Sequence, residues 1–217
     1  MIRVEKGAAR WTLTIDRPDK ANSLTKAMLE ELAAAVAGAA AAGVPVLVLT
    51  GAGKVFSAGA DLDEARAGLA KEDVWERLSG AIAAFPGLSI AALNGTLAGG
   101  AFGMALACDL RIGVPGAKFF YPAIRLGFLP QPSDAGRLIA LVGPARAKLI
   151  LMAGQKISAD EALSFGLIDR IVDPEALGEA VDALADAPEA AKPEVRAAIK
   201  AMCGGGGQAS PHEFSRT

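Results

Sequence analysis

The sequence has little of what would mark a secreted, membrane-spanning or nucleic-acid-binding protein. Its 217 residues include two cysteines, Cys108 and Cys203, too few for a disulfide framework and consistent with a reducing compartment. The one histidine, His212, sits in the C-terminal tail, far along the chain from any expected site, and no metal site is expected. Aromatics make up only 5% of the chain. Alanine and glycine dominate instead, so close packing of helices is expected rather than a bulky aromatic core.

Other absences narrow the function. Lys plus Arg number 22 against 24 Asp plus Glu, a net charge of -2, and no arginine-rich run occurs, so no nucleic-acid partner is expected. No window holds the ~20 uninterrupted apolar residues of a membrane span; the alanine block Ala33–Ala42 is too short and too weakly apolar. The N-terminus, Met1 to Lys6, alternates like a strand instead of reading as a signal peptide. A cytoplasmic protein is expected. The turn Gly51-Ala52-Gly53-Lys54 looks like a nucleotide loop, yet Lys54 is followed by Val55, and Phe56 stands where a dinucleotide fingerprint needs its third glycine.

What is present is an alternation of strands and helices, which makes the class α/β. Ile2, Val4, Trp11, Leu13 and Ile15 predict two antiparallel strands with a turn at Lys6-Gly7. A helix is predicted from Thr25 to Ala41 and ends at Gly43. The apolar runs Val46–Thr50, Ser89–Leu93 and Leu110–Val114 read as buried strands. Helices are predicted over Val74–Phe85, from Gly99-Gly100 to Ala107, near Pro132–Leu141 and Pro144–Met152, and over Asp160–Phe165 behind the capping box Ser158-Ala159-Asp160-Glu161. Two more follow near Pro174–Leu184 and Glu194–Met202, before Gly204–Gly207 and a polar tail.

Two segments carry chemistry. Ser57-Ala58-Gly59-Ala60-Asp61-Leu62 and Asn94-Gly95 through Gly99-Gly100 each place small residues at a strand end just before a helix. First-turn amides of a helix have no internal acceptor and point outward. If two such ends converge, their N–H groups form an oxyanion hole; the plain alternative is a pair of tight turns.

With these pieces the chain resembles the crotonase, or enoyl-CoA hydratase/isomerase, superfamily. The matching stretches are Asp16–Leu24, Phe56–Leu62, Ala91–Gly95, Gly99-Gly100, Ala107–Arg111, Leu126–Pro130, Leu151–Ala159 and Ala162–Asp169. The resemblance implies a crotonase-like ββα spiral core over residues 1–190, then a shortened C-terminal helix and flexible tail over 191–217. It implies a homotrimer or dimer of trimers. It also implies an acyl-CoA thioester as partner, with coenzyme A part of the substrate and no permanently bound cofactor. The thioester carbonyl would sit between the N–H groups of Ala60 and Gly100. The adenine would lie against Ala21, Asn22, Ser23 and Leu24, with the Ala58 carbonyl accepting from its amino group. Asp61, beside the first amide, reads plainly as the cap of the following helix.

The resemblance also shows what is missing. The two glutamates of the family's hydratases fall on Gly103 and Ala123, and the single carboxylate of some isomerases and dehalogenases falls on Gln131. Asp134, one turn beyond Gln131, reads as a first-turn residue favoured by the helix dipole or as a base that reaches the pocket. Tyr121 reads as a pocket-wall aromatic with its hydroxyl bonded, or as a site residue; Arg125 reads as a surface or interface partner. Isomerase-, hydrolase- or decarboxylase-type chemistry is therefore expected in place of two-glutamate hydration. The alternative is a catalytically silent acyl-CoA-binding or assembly protein of the same fold.

Overall fold

The structure is a computed structural model, and it describes residues 1–204. His212 and the tail from Gln208 lie outside the described residues. The chain opens with an antiparallel hairpin, β1 (Ile2–Lys6) on β2 (Arg10–Ile15), in which Ile2 faces Ile15 and Lys6 faces Trp11. Gly7 N–H donates to Arg10 O at 2.8 Å and closes the turn. Helix α1 (Lys26–Ala41) follows, capped by Thr25, whose hydroxyl accepts from Met28 N–H at 3.2 Å. It buries Met28, Leu29, Leu32, Val36 and Ala39 along one stripe, which is the spacing of an amphipathic helix on a sheet.

From here each turn of the spiral adds one strand to each of two sheets. Strand β3 (Val46–Gly51) enters the first sheet and β4 (Val55–Ser57) the second; β5 (Leu88–Leu93) and β6 (Thr96–Ala98) repeat this, as do β7 (Leu110–Gly113) and β8 (Lys118–Phe120). Within the first sheet β3, β5 and β7 are parallel neighbours, and within the second β4, β6 and β8 are. The full orders are β1-β2-β3-β5-β7-β10 and β4-β6-β8-β9, with β9 (Ile157–Ser158) antiparallel to β8 and β10 (Arg170–Ile171) parallel to β7. Strand β3 is buried on both faces from Val46 to Leu49, as its unbroken apolar run requires.

The second sheet is where the structure goes beyond the sequence reading. Its strands are two or three residues long, too short to show an alternation. The remaining helices are α2 (Leu62–Arg66), α3 (Val74–Ala83), α4 (Phe102–Ala107), α5 (Ala123–Leu126), α6 (Pro132–Leu151), α7 (Ala159–Phe165), α8 (Leu177–Ala190) and α9 (Pro193–Cys203). A single 3-10 turn, Gly99–Ala101, precedes α4. The two helices expected near 132–141 and 144–152 are two arms of α6, which meet at Gly143 (φ 77°, ψ 165°) just before Pro144. Ser158 and Glu161 make the reciprocal capping box of α7.

The site-bearing end is held by polar staples. Asn94 Oδ1 accepts from Gly51 N–H at 3.0 Å, and its Nδ2 donates to Gly53 O at 2.9 Å. Arg111 is buried; its Nε donates to Leu167 O at 2.9 Å and one Nη to Cys108 O at 2.8 Å. Helix α9 buries no residue of its own and is tied down by Lys200 Nζ, which donates to Gly87 O and Asp109 Oδ2 at 2.9 and 2.8 Å. Cys108 is buried and Cys203 exposed, and both are free thiols. Among the described residues no helix is long and apolar enough to cross a membrane.

Candidate active site

The ends of β4 and β6 meet. A Cβ placed on Gly59 (φ 92°) would lie 2.9 Å from Ala98 O and 3.4 Å from Gly100 N. Only glycine supplies both the left-handed backbone and the missing side chain that this contact needs. Ala60 follows Gly59 and is fixed from behind, since Gly59 O accepts from Leu24 N–H and Asp61 N–H donates to Leu24 O, both at 2.8 Å. No acceptor among the described residues takes the N–H of Ala60 or of Gly100. Gly100 is in the first turn of its helix, where no internal acceptor exists. Two half-buried, unengaged amides thus stand at adjoining strand ends.

Trp75 walls this junction. A Cβ on Gly100 would come within 3.1 Å of the Trp75 ring. The indole is 4% exposed and is oriented by its Nε1, which donates to Leu69 O at 2.9 Å. Sequence reasoning placed Trp75 on a helix but could not say what it covers.

One turn along from Gly100, Gly103 is buried on α4, and a Cβ there would stand 2.8 Å from Asp134 Oδ1. Residues three apart share a helix face, so Asp134 reaches from α6 onto the face that carries Gly100. The first-turn placement of Asp134 is as the sequence suggests, but the helix end does not bond its carboxylate. Glu76 of α3 takes that role instead: its Oε1 accepts from Ser133 N–H and Ser133 Oγ at 3.2 and 2.9 Å. Asp134 is 1% exposed. Its Oδ2 accepts from the Tyr121 hydroxyl at 2.9 Å, while Oδ1 is buried with no partner among the described residues. Burial pushes its pKa up to about 6; the Tyr121 hydrogen bond pulls down, Glu76 pushes up and Arg137 pulls down.

Tyr121 is buried against Phe102, ring centroids 5.6 Å apart, and its hydroxyl accepts from Gln131 N–H at 3.3 Å. Burial, and next the neighbouring Asp134, raise its pKa well above the usual phenol value. Gln131 itself turns away, its Nε2 donating to Ala70 O at 2.9 Å. Ala123 is buried and carries no polar group, and exposed Arg125 donates to Gly154 O at 3.2 Å.

The loop Ala21–Leu24 lies behind the junction. Ala21 and Asn22 have left-handed backbones (φ 51° and 54°). The Asn22 side chain is fully consumed: Nδ2 donates to Ala52 O and Val55 O, and Oδ1 accepts from Arg17 N–H. Leu24 is fully buried too, so neither of these two residues presents a surface to a ligand, whereas Ala21 and Ser23 are half-buried and Ala58 is exposed. Asp61 caps α2 through Asp63 N–H and pairs with Arg17 at 2.8 Å. Arg17 holds the Asp61 carboxyl below its usual range. A cleft of about 990 Å³ lies under α9, walled by residues such as Leu106, Arg137 and Lys200; none of Ala60, Gly100 and Asp134 lines it. Among the described residues no group of His, Cys, Asp and Glu could hold a metal ion.

Residues 5–210 match the enoyl-CoA hydratase/isomerase family model. The chain belongs to that family. It is 34% identical over 192 residues to the "Probable enoyl-CoA hydratase echA6" of Mycobacterium bovis, covering 88% of this chain and 76% of that one. Against the crotonyl-CoA hydratase of Syntrophomonas wolfei it is 38% identical over 183 residues, covering 81% and 70%. A solved enoyl-CoA hydratase from Bacillus anthracis superposes with a TM-score of 0.86 at 32% identity, covering 94% of this chain and 82% of that one. These likenesses establish the crotonase fold and the family, whose members act on acyl-CoA thioesters.

Proposed function

We propose that this member of the family enolises an acyl-CoA thioester, with Asp134 as its single base. The observation that carries the reading is Asp134 Oδ1, buried without a partner among the described residues in the side-chain space of Gly103, on the helix face that carries the Gly100 amide. The thioester oxygen would accept from Ala60 and Gly100 N–H. Donors fixed before the reaction stabilise the developing enolate by a few kcal/mol, in the range of about 2.7–4 per donor known from other oxyanion holes. Asp134 Oδ1 takes the α-proton, and the C–H electron pair moves onto the oxygen held by the two amides. A carboxylate with a pKa near 6 is largely ionised at neutral pH yet basic enough to carry a proton. Return of that proton to another carbon is an isomerisation. Two-glutamate hydration is not supported, because Gly103 and Ala123 carry no carboxylate.

Coenzyme A arrives as part of the substrate. Its adenine would rest against half-buried Ala21 and Ser23, beside exposed Ala58, whose carbonyl would accept from the amino group. The test is deuterium washout from the α-carbon of butyryl-CoA. Washout that rises with pH through about 6 and is lost in Asp134→Asn, with binding retained, supports the reading. Binding without washout across an acyl-CoA panel replaces it with the silent binding protein, a reading favoured by the near-complete burial of Asp134. Crotonyl-CoA hydration as fast as that of a two-glutamate relative would also defeat it.

A further inference from the structure

We infer that Tyr121 is a positioning residue that selects Oδ1 of Asp134 as the reacting oxygen and sets its readiness to take a proton. The inference rests on the enolising reading of the site. Either oxygen of a free carboxylate can act as base, and an ionised one in a buried site swings toward whatever donor it finds. Among the described residues the only donor to the carboxylate is the Tyr121 hydroxyl, at 2.9 Å from Oδ2. Tyr121 is itself pinned: its ring lies on Phe102, and its oxygen accepts from Gln131 N–H, so its proton is aimed at Asp134. With Oδ2 occupied, Oδ1 turns to Gly103 and has no partner among the described residues.

Among the described residues, the groups around the carboxylate come from three helices and the loop after β8. Gly103 on α4 contributes only space, Glu76 on α3 a negative charge, Arg137 on α6 a positive one, and Tyr121 the single hydrogen bond. Removing that bond leaves the ionised form less favoured. In the reaction the C–H bond to the α-carbon breaks and an O–H bond forms at Oδ1; the released pair becomes the enolate. Tyr121 keeps its proton throughout and shortens or lengthens its bond to Oδ2 as the charge of the carboxyl changes.

Tyr121 is the only tyrosine in the chain, so biosynthetic 3-fluorotyrosine labels this position alone. The experiment compares wild type, Tyr121→Phe and the fluorotyrosine protein. The Asp134 carboxyl is titrated by carbon NMR, assigned by its loss in Asp134→Asn, and butyryl-CoA washout is followed against pH. In Tyr121→Phe the carboxyl titration and the washout midpoint should both move upward, by half a pH unit or more, with butyryl-CoA affinity changed less than about threefold. Fluorotyrosine, a stronger donor, should move both downward, and this arm stands if the phenylalanine variant does not fold. Unmoved midpoints in both proteins, or a change in affinity alone, overturn the inference. Wild-type protein that gives no washout overturns the enolising reading instead, and the carboxyl titration then still decides whether Tyr121 governs Asp134.

Discussion

Gly103 and Asp134 share one slot: the side chain that α4 omits at Gly103 is replaced, within 2.8 Å, by a carboxylate oxygen from α6. The absence on one helix and the presence on the other are a single feature. A chain with a larger residue at 103 could not hold Asp134 in this orientation.

Gly103→Ala tests that sharing. Alanine favours a helix over glycine by about 1 kcal/mol, so an unobstructed site would gain stability. Here the new methyl meets a carboxylate anchored by Tyr121, and a net loss of about 1–3 kcal/mol is expected. The double variant Gly103→Ala with Asp134→Ser should recover most of the loss, giving a positive coupling in a double-mutant cycle by urea unfolding. Simple additivity would sink the idea.

Asp134 should make stability depend on pH in a particular direction. Its pKa rises on folding from the ordinary 3.8 to about 6, so between those values the folded state binds more protons than the unfolded one. Stability therefore falls as pH rises through that window, by an amount of order 3 kcal/mol at most. Asp134→Asn lacks this penalty. The difference between variant and wild type in thermal melts should be small near pH 3.5 and grow to a plateau above pH 6–7. A difference independent of pH would contradict the burial of an ionisable, half-satisfied carboxyl.

Gly59→Ala should strike the amide pair without touching any acid or base. The left-handed backbone costs about 1–2 kcal/mol for a residue with a Cβ, and that Cβ would push against Ala98 O. Washout should fall at least tenfold, and acyl-CoA affinity should weaken with it, while the Asp134 titration stays in place. Unchanged turnover would show that the Gly59 contact does not set the amide spacing.

Asp61 belongs to a different ledger, that of local structure. Asp61→Ala removes the α2 cap and the partner of Arg17, and about 1 kcal/mol should be lost near pH 7. Because Arg17 lowers the folded pKa of Asp61, this contribution is present above the unfolded value and disappears as pH falls. Urea melts at pH 7 and pH 3 should therefore show a gap that closes on acidification.

The first sheet was legible because its strands advertise themselves: Val46–Leu49 and Ile90–Leu93 are apolar runs with nowhere to go but between two layers. The small residues marked the two strand ends as worth inspecting, and only the family resemblance singled out the amides of Ala60 and Gly100 within them. The environment of Asp134 was not legible. Arg137 shares α6 with Asp134, but Gly103 and Glu76 lie on two other helices and Tyr121 in the loop after β8, and no periodicity links residues 13, 31 and 58 positions away from it. Asn22, expected to face the adenine, instead ties two loops together, since a side-chain amide in a left-handed turn bonds backbone wherever it can reach.

The meeting of β4 and β6 has a last consequence for how this protein will look in a mutational survey. Ala60 is already alanine, Gly100 has no side chain to remove, and what each presents is a backbone N–H. An alanine scan will therefore pass over this amide pair in silence, and register this corner only as intolerance at Gly59. Replacing the peptide link before Ala60 or Gly100 by an ester, which deletes one N–H and leaves every side chain in place, is the substitution that speaks to these groups directly.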